Sequence, residues 1–189
     1  MRRRAAVAFG VLFAGIVFPA AAQRACSTLT EVRLAGAVVV AATDVAAGVF
    51  TPLADGLPGS AMALPAYCRV QGVARPTPDS EINFEVWLPA AAGWNGKFQQ
   101  AGNGGYAGSV PVASLADGLK RGFATAGTDD GHVGQSPAFA PGHPEKVIDF
   151  GHRAVHLTAV HAKVVVEAFY GRRRAGRISS AVPTAGAKR

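Results

Sequence analysis

From residue 82 onward, short apolar runs with strand-like alternation precede segments of helical periodicity, and this order constrains the fold more than any other feature. Ile82, Phe84, Val86 and Leu88 alternate on one face of a predicted strand that ends at Pro89. Strands followed by helices predict an α/β sheet. With 189 residues and 49% hydrophobic side chains, the chain can bury one ordinary core, which excludes a disordered chain or a disulfide-dense miniprotein.

The same periodicities place the other elements of the predicted fold. The expected strands are 37–42, 67–74, 82–88, 97–101 and 123–128, and the expected helices are 111–121 and 144–170. Gly171 is expected to close the longer helix. The stretch 51–65 is expected to be irregular.

The net charge of +7 is concentrated at the two ends of the chain. Arginines at 2–4 and six basic residues within 172–189 leave a net charge of −2 on residues 5–170, which hold 10 basic and 12 acidic side chains. A nucleic-acid-binding domain carries its basic residues on the folded surface. We therefore expect no nucleic-acid partner.

Residues 1–22 have the three parts of a secretory signal peptide. Arginines at 2–4 precede an uncharged apolar run over 5–18, and Ala20 and Ala22 supply small residues before a cleavage site. This run is shorter than the ~20 residues that span a bilayer. We expect an exported protein, periplasmic or extracellular, that begins near Gln23 and makes no membrane contact after cleavage.

In an oxidising compartment, Cys26 and Cys68 are expected to form one disulfide rather than to remain as two free thiols. Such a bond would tie the N-terminus of the mature chain to the body of the domain. It would stabilise the fold by about 3–4 kcal/mol through its effect on the unfolded state.

A glycine-rich turn at 102–108 (GNGGYAG) follows the predicted strand 97–101. It matches a loose dinucleotide-binding pattern, but no helix is predicted to open at Gly108, and exported enzymes rarely use soluble NAD. Two alternatives remain. The turn could be an oxyanion hole, whose backbone N–H groups face a developing negative oxygen, or it could be an ordinary tight turn.

Two histidines have a spacing that can bind zinc. His152 and His156 are i,i+4 on the predicted long helix, with His161 on another face. No Glu follows His152 in a HExxH arrangement, and no third ligand is evident. We therefore expect helix-surface or core histidines and no metal site.

The loop after the predicted strand 123–128 contains Asp129, Asp130 and His132. These polar side chains could line a site, or they could only shape a turn, which Asp and Gly favour. No G-x-S-x-G motif accompanies them, and Ser179-Ser180 follows no predicted strand. The residues alone therefore do not identify a nucleophile.

Several segments, in order along the chain, resemble the tannase and feruloyl esterase family of α/β-hydrolases. They are 68–72 (CRVQG), 84–89 (FEVWLP), 94–98 (WNGKF), 102–108 (GNGGYAG), 128–132 (TDDGH), 142–151 (GHPEKVIDFG) and 153–156 (RAVH). The resemblance extends over residues 26–171. It implies a domain at 23–171 that is the N-terminal part of an α/β-hydrolase sheet, truncated before the nucleophile elbow and the lid.

The resemblance implies a secreted serine esterase that cleaves esters of aromatic acids such as gallate or ferulate. The family uses a Ser-Asp-His triad and a calcium-binding lid. Carried onto this sequence, an oxyanion N–H would come from Gly104 or Gly105, and Cys26 and Cys68 match the family's N-terminal disulfide.

No triad member and no lid is identified in the sequence, so we expect an inactive fragment with no cofactor. Two alternatives stay open. One is a non-catalytic exported binding or accessory protein on the same scaffold, and the other is a nucleotide-dependent oxidoreductase, against which the predicted signal peptide weighs.

The sequence departs from the family after Gly171, where the family continues into a strand and a G-C-S-x-G-G elbow. If the codons from Arg177 onward are shifted by one base, the residues present permit Tyr-Phe-Val-Gly-Cys-Ser-Asp-Gly-Gly-Arg-Glu-Ala. The serine codon would straddle Val182 and Pro183. We therefore hypothesise that the basic tail at 172–189 is a frame-shifted strand and elbow, with a natural basic tail as the alternative.

Overall fold

A computed structural model of the chain describes residues 23–54, 57–171 and 179–181. The strands are β1 (Ala37–Val45), β2 (Gly48–Phe50), β3 (Leu53–Ala54), β4 (Leu57–Pro58), β5 (Met62–Leu64), β6 (Tyr67–Ala74), β7 (Ile82–Pro89), β8 (Phe98–Ala101), β9 (Ala124–Thr128) and β10 (Ser179–Ala181). The helices are α1 (Val112–Lys120), α2 (Pro144–Ile148) and α3 (Ala154–Tyr170). The predicted signal peptide at 1–22 lies outside the described residues, as do 172–178 and 182–189 of the predicted tail, including Val182 and Pro183.

The central sheet is mixed, with its described strands in the order β1-β6-β7-β9-β8-β10. β1, β6, β7 and β9 pair antiparallel in succession, whereas β8 pairs parallel with β9 and β10 pairs parallel with β8. The chain passes from β8 to its parallel neighbour β9 through α1, as a parallel connection requires. The α/β class predicted from the sequence is confirmed.

Helices cover both faces of the sheet. On one face, Val165 and Phe169 of α3 share a buried cluster with Phe84 of β7. On the other face, Leu115 of α1 shares a second buried cluster with Trp87. The strand β7 is therefore buried on both sides, and its predicted apolar face is one of two core faces. Within the described ranges, no helix is both long enough and apolar enough to cross a membrane.

A disulfide joins Cys26, in a 3₁₀ turn at Cys26–Glu31, to Cys68 in β6, with the two Cα atoms 5.6 Å apart. Both cysteines are buried in the same core cluster as Leu29. The pairing predicted from the sequence is confirmed. A disulfide of this kind is typical of exported proteins, because thiols stay reduced in the cytoplasm.

Three segments differ from the prediction. The stretch 51–65, predicted to be irregular, contains β3 paired with β4, and β5 paired with β2. The predicted single helix 144–170 is divided by a π-helical turn at Asp149–Arg153. Residues 179–181, in the predicted tail, form the strand β10 beside β8.

Candidate functional site

Two loops that the sequence marked separately meet at one edge of the sheet. The strands β8 and β9 are parallel, so their carboxyl ends lie at the same edge. The turn 102–108 follows β8, and the loop 129–134 follows β9. The N–H of Gly108 donates to the carbonyl of Gly134 at 2.7 Å, which joins the two segments directly.

The glycine-rich turn presents backbone N–H groups that no described residue uses. Among the described residues, the N–H groups of Gly104 and Gly105 donate no hydrogen bond, whereas Ala107 N donates to Gly104 O at 3.3 Å. Gly105 has φ +61°, a conformation that favours glycine. A Cβ built on Gly104 or Gly105 would meet no atom within 4 Å. Unengaged N–H groups beside open space are what an oxyanion hole requires.

A cleft of about 460 Å³ lies beside this turn. It is lined by glycines of the turn, by Asn103 and Asp130, and by Phe150, His152 and His156 from the helical segment opposite. The volume falls within the range of small-molecule sites. A larger groove of about 660 Å³ lies by the charged hairpin 75–81, but the turn does not line it, so we assign the candidate site to the smaller cleft.

The sequence left two roles open for Asp129, lining a site or shaping a turn. Its contacts are those of a residue that shapes the turn. Its Oδ1 accepts from the N–H groups of Asn83 (3.0 Å) and Gly131 (2.9 Å), and its Oδ2 accepts from Asn83 Nδ2 (2.7 Å). Burial raises the pKa of this carboxyl, and the hydrogen bonds from Asn83 and Gly131 oppose the rise. Asp129 thus fastens the loop to the start of β7.

Asp130 lines the cleft and is held differently. Its φ of +56° is the one positive value found for a non-glycine residue in the described part of the chain. Its Oδ2 accepts a hydrogen bond from Asn103 Nδ2 at 3.1 Å, while its Oδ1 is buried with no partner in the described structure. Burial raises the pKa of this carboxyl to about 6, opposed by the hydrogen bond from Asn103. A group that titrates near neutral pH in a cleft is a functional candidate.

His132 is packed beneath the turn and does not line the cleft. Its ring stacks on Phe139 with the centroids 4.0 Å apart, and its Nε2 donates to the carbonyl of Tyr106 at 3.0 Å. A Cβ on Gly108 would lie 2.6 Å from the His132 ring, so only glycine permits this approach. His132 therefore supports the turn from behind.

The π-helical turn at Asp149–Arg153 forms the opposite wall of the cleft. Arg153 Nε donates to Asp149 Oδ1 at 2.5 Å, and its Nη2 donates to Glu145 Oε2 at 2.6 Å. This pairing of one guanidinium with two carboxylates holds the widened turn, and Phe150 and His152 from the turn line the cleft. Widened turns of this kind are frequent at functional sites.

The three helix histidines are not brought together by the fold. His152 and His156 line the cleft, whereas His161 is buried on the sheet side of α3 and stacks on Phe84 at 5.7 Å. Burial lowers the pKa of His161, as for a core histidine. No group of three His, Cys, Asp or Glu side chains that could hold a metal ion occurs among the described residues.

The dinucleotide-binding alternative has no support in the geometry. A pyrophosphate site of that kind needs the glycines to open directly into a helix. Here α1 begins at Val112, beyond Pro111 and the end of the turn.

The sequence did not mark Asn103, which ties the turn to its surroundings, or Gln100, which ties β8 to α3. Asn103 Nδ2 donates to the carbonyl of Thr128 at 2.8 Å, and Gln100 Nε2 donates to the carbonyl of Val155 at 2.8 Å. The sequence feature that could have marked Asn103 is its place between Gly102 and Gly104, since neither glycine has a side chain to cover the backbone. Nothing local marked Gln100, whose partner is 55 residues away.

Residues 68–177 match the family model for tannase and feruloyl esterase. An uncharacterized esterase of Xanthomonas campestris is 46% identical over 153 residues, which are 79% of this chain and 26% of that protein. A probable feruloyl esterase B-2 of Aspergillus flavus is 38% identical over 104 residues, which are 55% of this chain and 20% of that protein. The chain spans about a quarter of the length of the first of these relatives and a fifth of the second.

Solved structures of similar proteins agree with the fold. Feruloyl esterase B from Aspergillus oryzae superposes with a TM-score of 0.72 at 31% identity, over 82% of this chain and 30% of that one. A tannin acyl hydrolase from Aspergillus niger superposes with a TM-score of 0.61 at 21% identity, which shows a shared fold.

Proposed function

This chain belongs to the tannase and feruloyl esterase family, and from that premise we propose that it supplies the N-terminal part of a secreted serine esterase acting on aromatic-acid esters. The single observation that carries the proposal is the pair of unengaged N–H groups at Gly104 and Gly105, in a turn of which Gly105 lines the cleft. The disulfide between Cys26 and Cys68 supports export.

The proposed role of the turn is to stabilise the oxyanion of ester cleavage. When a serine attacks an ester carbonyl, the carbonyl oxygen gains negative charge, and preorganised N–H donors lower the energy of that state. In α/β-hydrolases, one donor is an N–H of the loop that joins a sheet strand to the next helix. The turn at 102–108, between β8 and α1, is in the corresponding place, and we assign the donor to Gly104 or Gly105.

The remaining chemistry needs a serine nucleophile, a histidine that takes its proton and a carboxylate that orients the histidine. Residues 1–189 contain no nucleophile elbow motif, so we propose that the 189-residue chain is inactive by itself. The proposed frame shift would restore an elbow serine in place of Val182 and Pro183. Its support is topological, since β10 runs parallel beside β8 and both strands end toward the edge that carries the turn.

The cleft walls support an aromatic acyl group as the substrate moiety. Phe150 lines the cleft, and the ring of Tyr106 in the turn stacks on Phe150 with the centroids 5.7 Å apart. Aromatic faces favour a flat conjugated acid such as ferulate or gallate. No metal or other cofactor is proposed for these residues.

The test begins with the gene, sequenced from the Tyr170 codon through several hundred bases past the Arg189 codon. We expect a single-base change near Gly171 to restore the Gly-Cys-Ser-Asp-Gly-Gly frame. The 189-residue chain and the restored chain are then assayed on methyl ferulate and methyl gallate. The restored chain should hydrolyse at least one of the esters, and replacing its elbow serine by alanine should reduce the rate by about 10⁴-fold or more.

Two results would contradict this proposal. Turnover of either ester by the purified 189-residue chain would refute its inactivity. An intact frame with no elbow downstream would refute the esterase assignment for this locus.

A non-catalytic binding protein on the same scaffold is the second candidate function. It is favoured by the cleft of about 460 Å³, because the residues that line it lie between Gln100 and His156. A rise in the melting temperature of the 189-residue chain with ferulate, without hydrolysis of methyl ferulate, would support it.

A further inference from the structure

Asn103 connects the glycine-rich turn to the two segments behind it. Its side-chain Nδ2 donates to the carbonyl of Thr128, the last residue of β9, at 2.8 Å. The same nitrogen donates to Oδ2 of Asp130 at 3.1 Å. Because Asn103 directly precedes Gly104, these two bonds fix the backbone where the unengaged N–H groups begin.

The backbone conformation of Asp130 costs free energy, and such a cost is typically kept where the residue has a function. The residue has φ +56°, which side chains other than glycine rarely adopt, and it keeps one carboxylate oxygen buried without a partner in the described structure. Strained backbone and unsatisfied buried groups concentrate at functional sites. The neighbouring Asp129 already fastens the loop, so the loop does not depend on Asp130 for its anchorage to β7.

We propose that Asn103 and Asp130 are a positioning pair that holds the Gly104 and Gly105 N–H groups toward the cleft. This inference deepens the oxyanion-hole assignment and rests on the proposed function. Neither side chain is assigned a contact with substrate. The carboxylate orients the Asn103 amide, and the amide orients the turn.

The strength of the pair should depend on pH. A hydrogen bond to an ionised carboxylate is stronger than one to a neutral acid, so the pair is strongest when Asp130 is ionised. The other titratable groups around it are Asp129 and His132 on the same loop, with His152 and His156 across the cleft. Since burial raises the pKa of Asp130 to about 6, the turn should loosen as the pH falls from neutral to 5.

The experiment is a nuclear magnetic resonance titration of the full 189-residue chain between pH 4.5 and 8. It follows the Asn103 side-chain amide and the backbone order parameters of Gly104 and Gly105. Asp130→Asn keeps an acceptor but removes the titration, and Asp130→Gly removes the carboxylate while glycine accepts the positive φ. Asp79→Asn is the control, because Asp79 pairs with His143 at 2.8 Å in the other groove.

We expect the Asn103 amide of the unsubstituted chain and of Asp79→Asn to shift with a midpoint near pH 6. That transition should vanish in Asp130→Asn, which would identify Asp130 as its source. In Asp130→Gly, the order parameters of Gly104 and Gly105 should fall from about 0.85 toward 0.6. The Asp130→Asn chain should give intermediate values.

An Asn103 transition that persists in Asp130→Asn would overturn the pair. So would unchanged order parameters in Asp130→Gly. No ester enters this measurement, so either outcome leaves the esterase proposal standing. Conversely, failure of the restored-frame chain to hydrolyse esters would contradict the esterase proposal without changing the spectra of the 189-residue chain.

Discussion

Two buried carboxylates, Glu85 inside the sheet and Asp130 at its carboxyl edge, are hydrogen-bonded to different extents. In the interior, the buried Glu85 carboxylate accepts from Arg69 Nε at 2.8 Å and from Trp87 Nε1 at 2.7 Å. At the edge, Asp130 Oδ1 and His132 Nδ1 are buried without partners among the described residues. Each unsatisfied buried group costs about 1–3 kcal/mol, so the loop after β9 gives up stability that the pairing of Glu85 retains.

The comparison separates the part of the fold that supplies most of its stability from the part that carries the candidate site. The interior carries the covalent bond between Cys26 and Cys68 and two packed clusters on either side of β7. The edge carries a strained residue, free N–H groups and a cleft. Substitutions in the two regions test this division, from the interior outward.

The largest effect should come from removing the disulfide. Replacing Cys26 and Cys68 by serine should lower the free energy of unfolding by about 3–4 kcal/mol, because the bond closes a 42-residue separation in the unfolded chain. Denaturant unfolding of the oxidised chain and of the double variant measures the loss. A loss below about 1 kcal/mol would show that the N-terminal turn adds little to the interior.

An intermediate effect should come from the contact beneath the turn. Gly108→Ala places a Cβ 2.6 Å from the His132 ring and 2.7 Å from the His132 carbonyl oxygen, and backbone cannot yield as a flexible side chain can. We expect a loss of about 2–3 kcal/mol in the free energy of unfolding.

Gly102→Ala is the matched control for this substitution. Its Cβ would meet no atom within 4 Å, so the unfolding free energy should stay within about 0.5 kcal/mol of the unsubstituted chain. Equal effects of the two substitutions would mean that the turn does not depend on the His132 contact.

The periodicity of the sequence predicted the main elements, because the residues that each buries recur at a regular local spacing. Alternation at Ile82, Phe84, Val86 and Leu88 placed β7, and Gly171 marked the end of α3. The stretch 51–65 was predicted wrongly, because its short strands are held by backbone pairing and carry no alternation. The π-helical turn was also missed. It depends on the pairing of Arg153 with two carboxylates, which a period of 3.6 does not encode.

The site was predicted in pieces. The turn 102–108 and the loop 129–134 each stood out by composition, and Cys26 with Cys68 followed from the predicted compartment. What joins the pieces is tertiary, since Asn103 Nδ2 reaches Thr128 and Asp130 across 25 and 27 residues. No local pattern could assign those bonds, or separate the anchoring role of Asp129 from the cleft position of Asp130.

The smallest effect, and the one most specific to the edge, is a pH dependence of stability from Asp130. Its pKa is raised to about 6 in the folded chain by burial, whereas an unfolded aspartate has a pKa near 3.9. Between about pH 4 and 6 the folded state therefore binds more protons than the unfolded state. This carboxyl thus lowers the free energy of unfolding as the pH rises through that window, the reverse of a salt-bridged aspartate.

Asp130→Asn removes this dependence, so the variant should gain about 1–2 kcal/mol in unfolding free energy relative to the unsubstituted chain between pH 5 and pH 7.5. Denaturant unfolding of both chains across that range measures the difference, and subtraction cancels the titration of all other groups. Asp44→Asn is the control, because it removes a carboxylate from an exposed position of β1. If the difference in unfolding free energy between Asp130→Asn and the unsubstituted chain does not change with pH, water reaches this carboxylate. The ionised Asp130 would then not lower the stability of the edge.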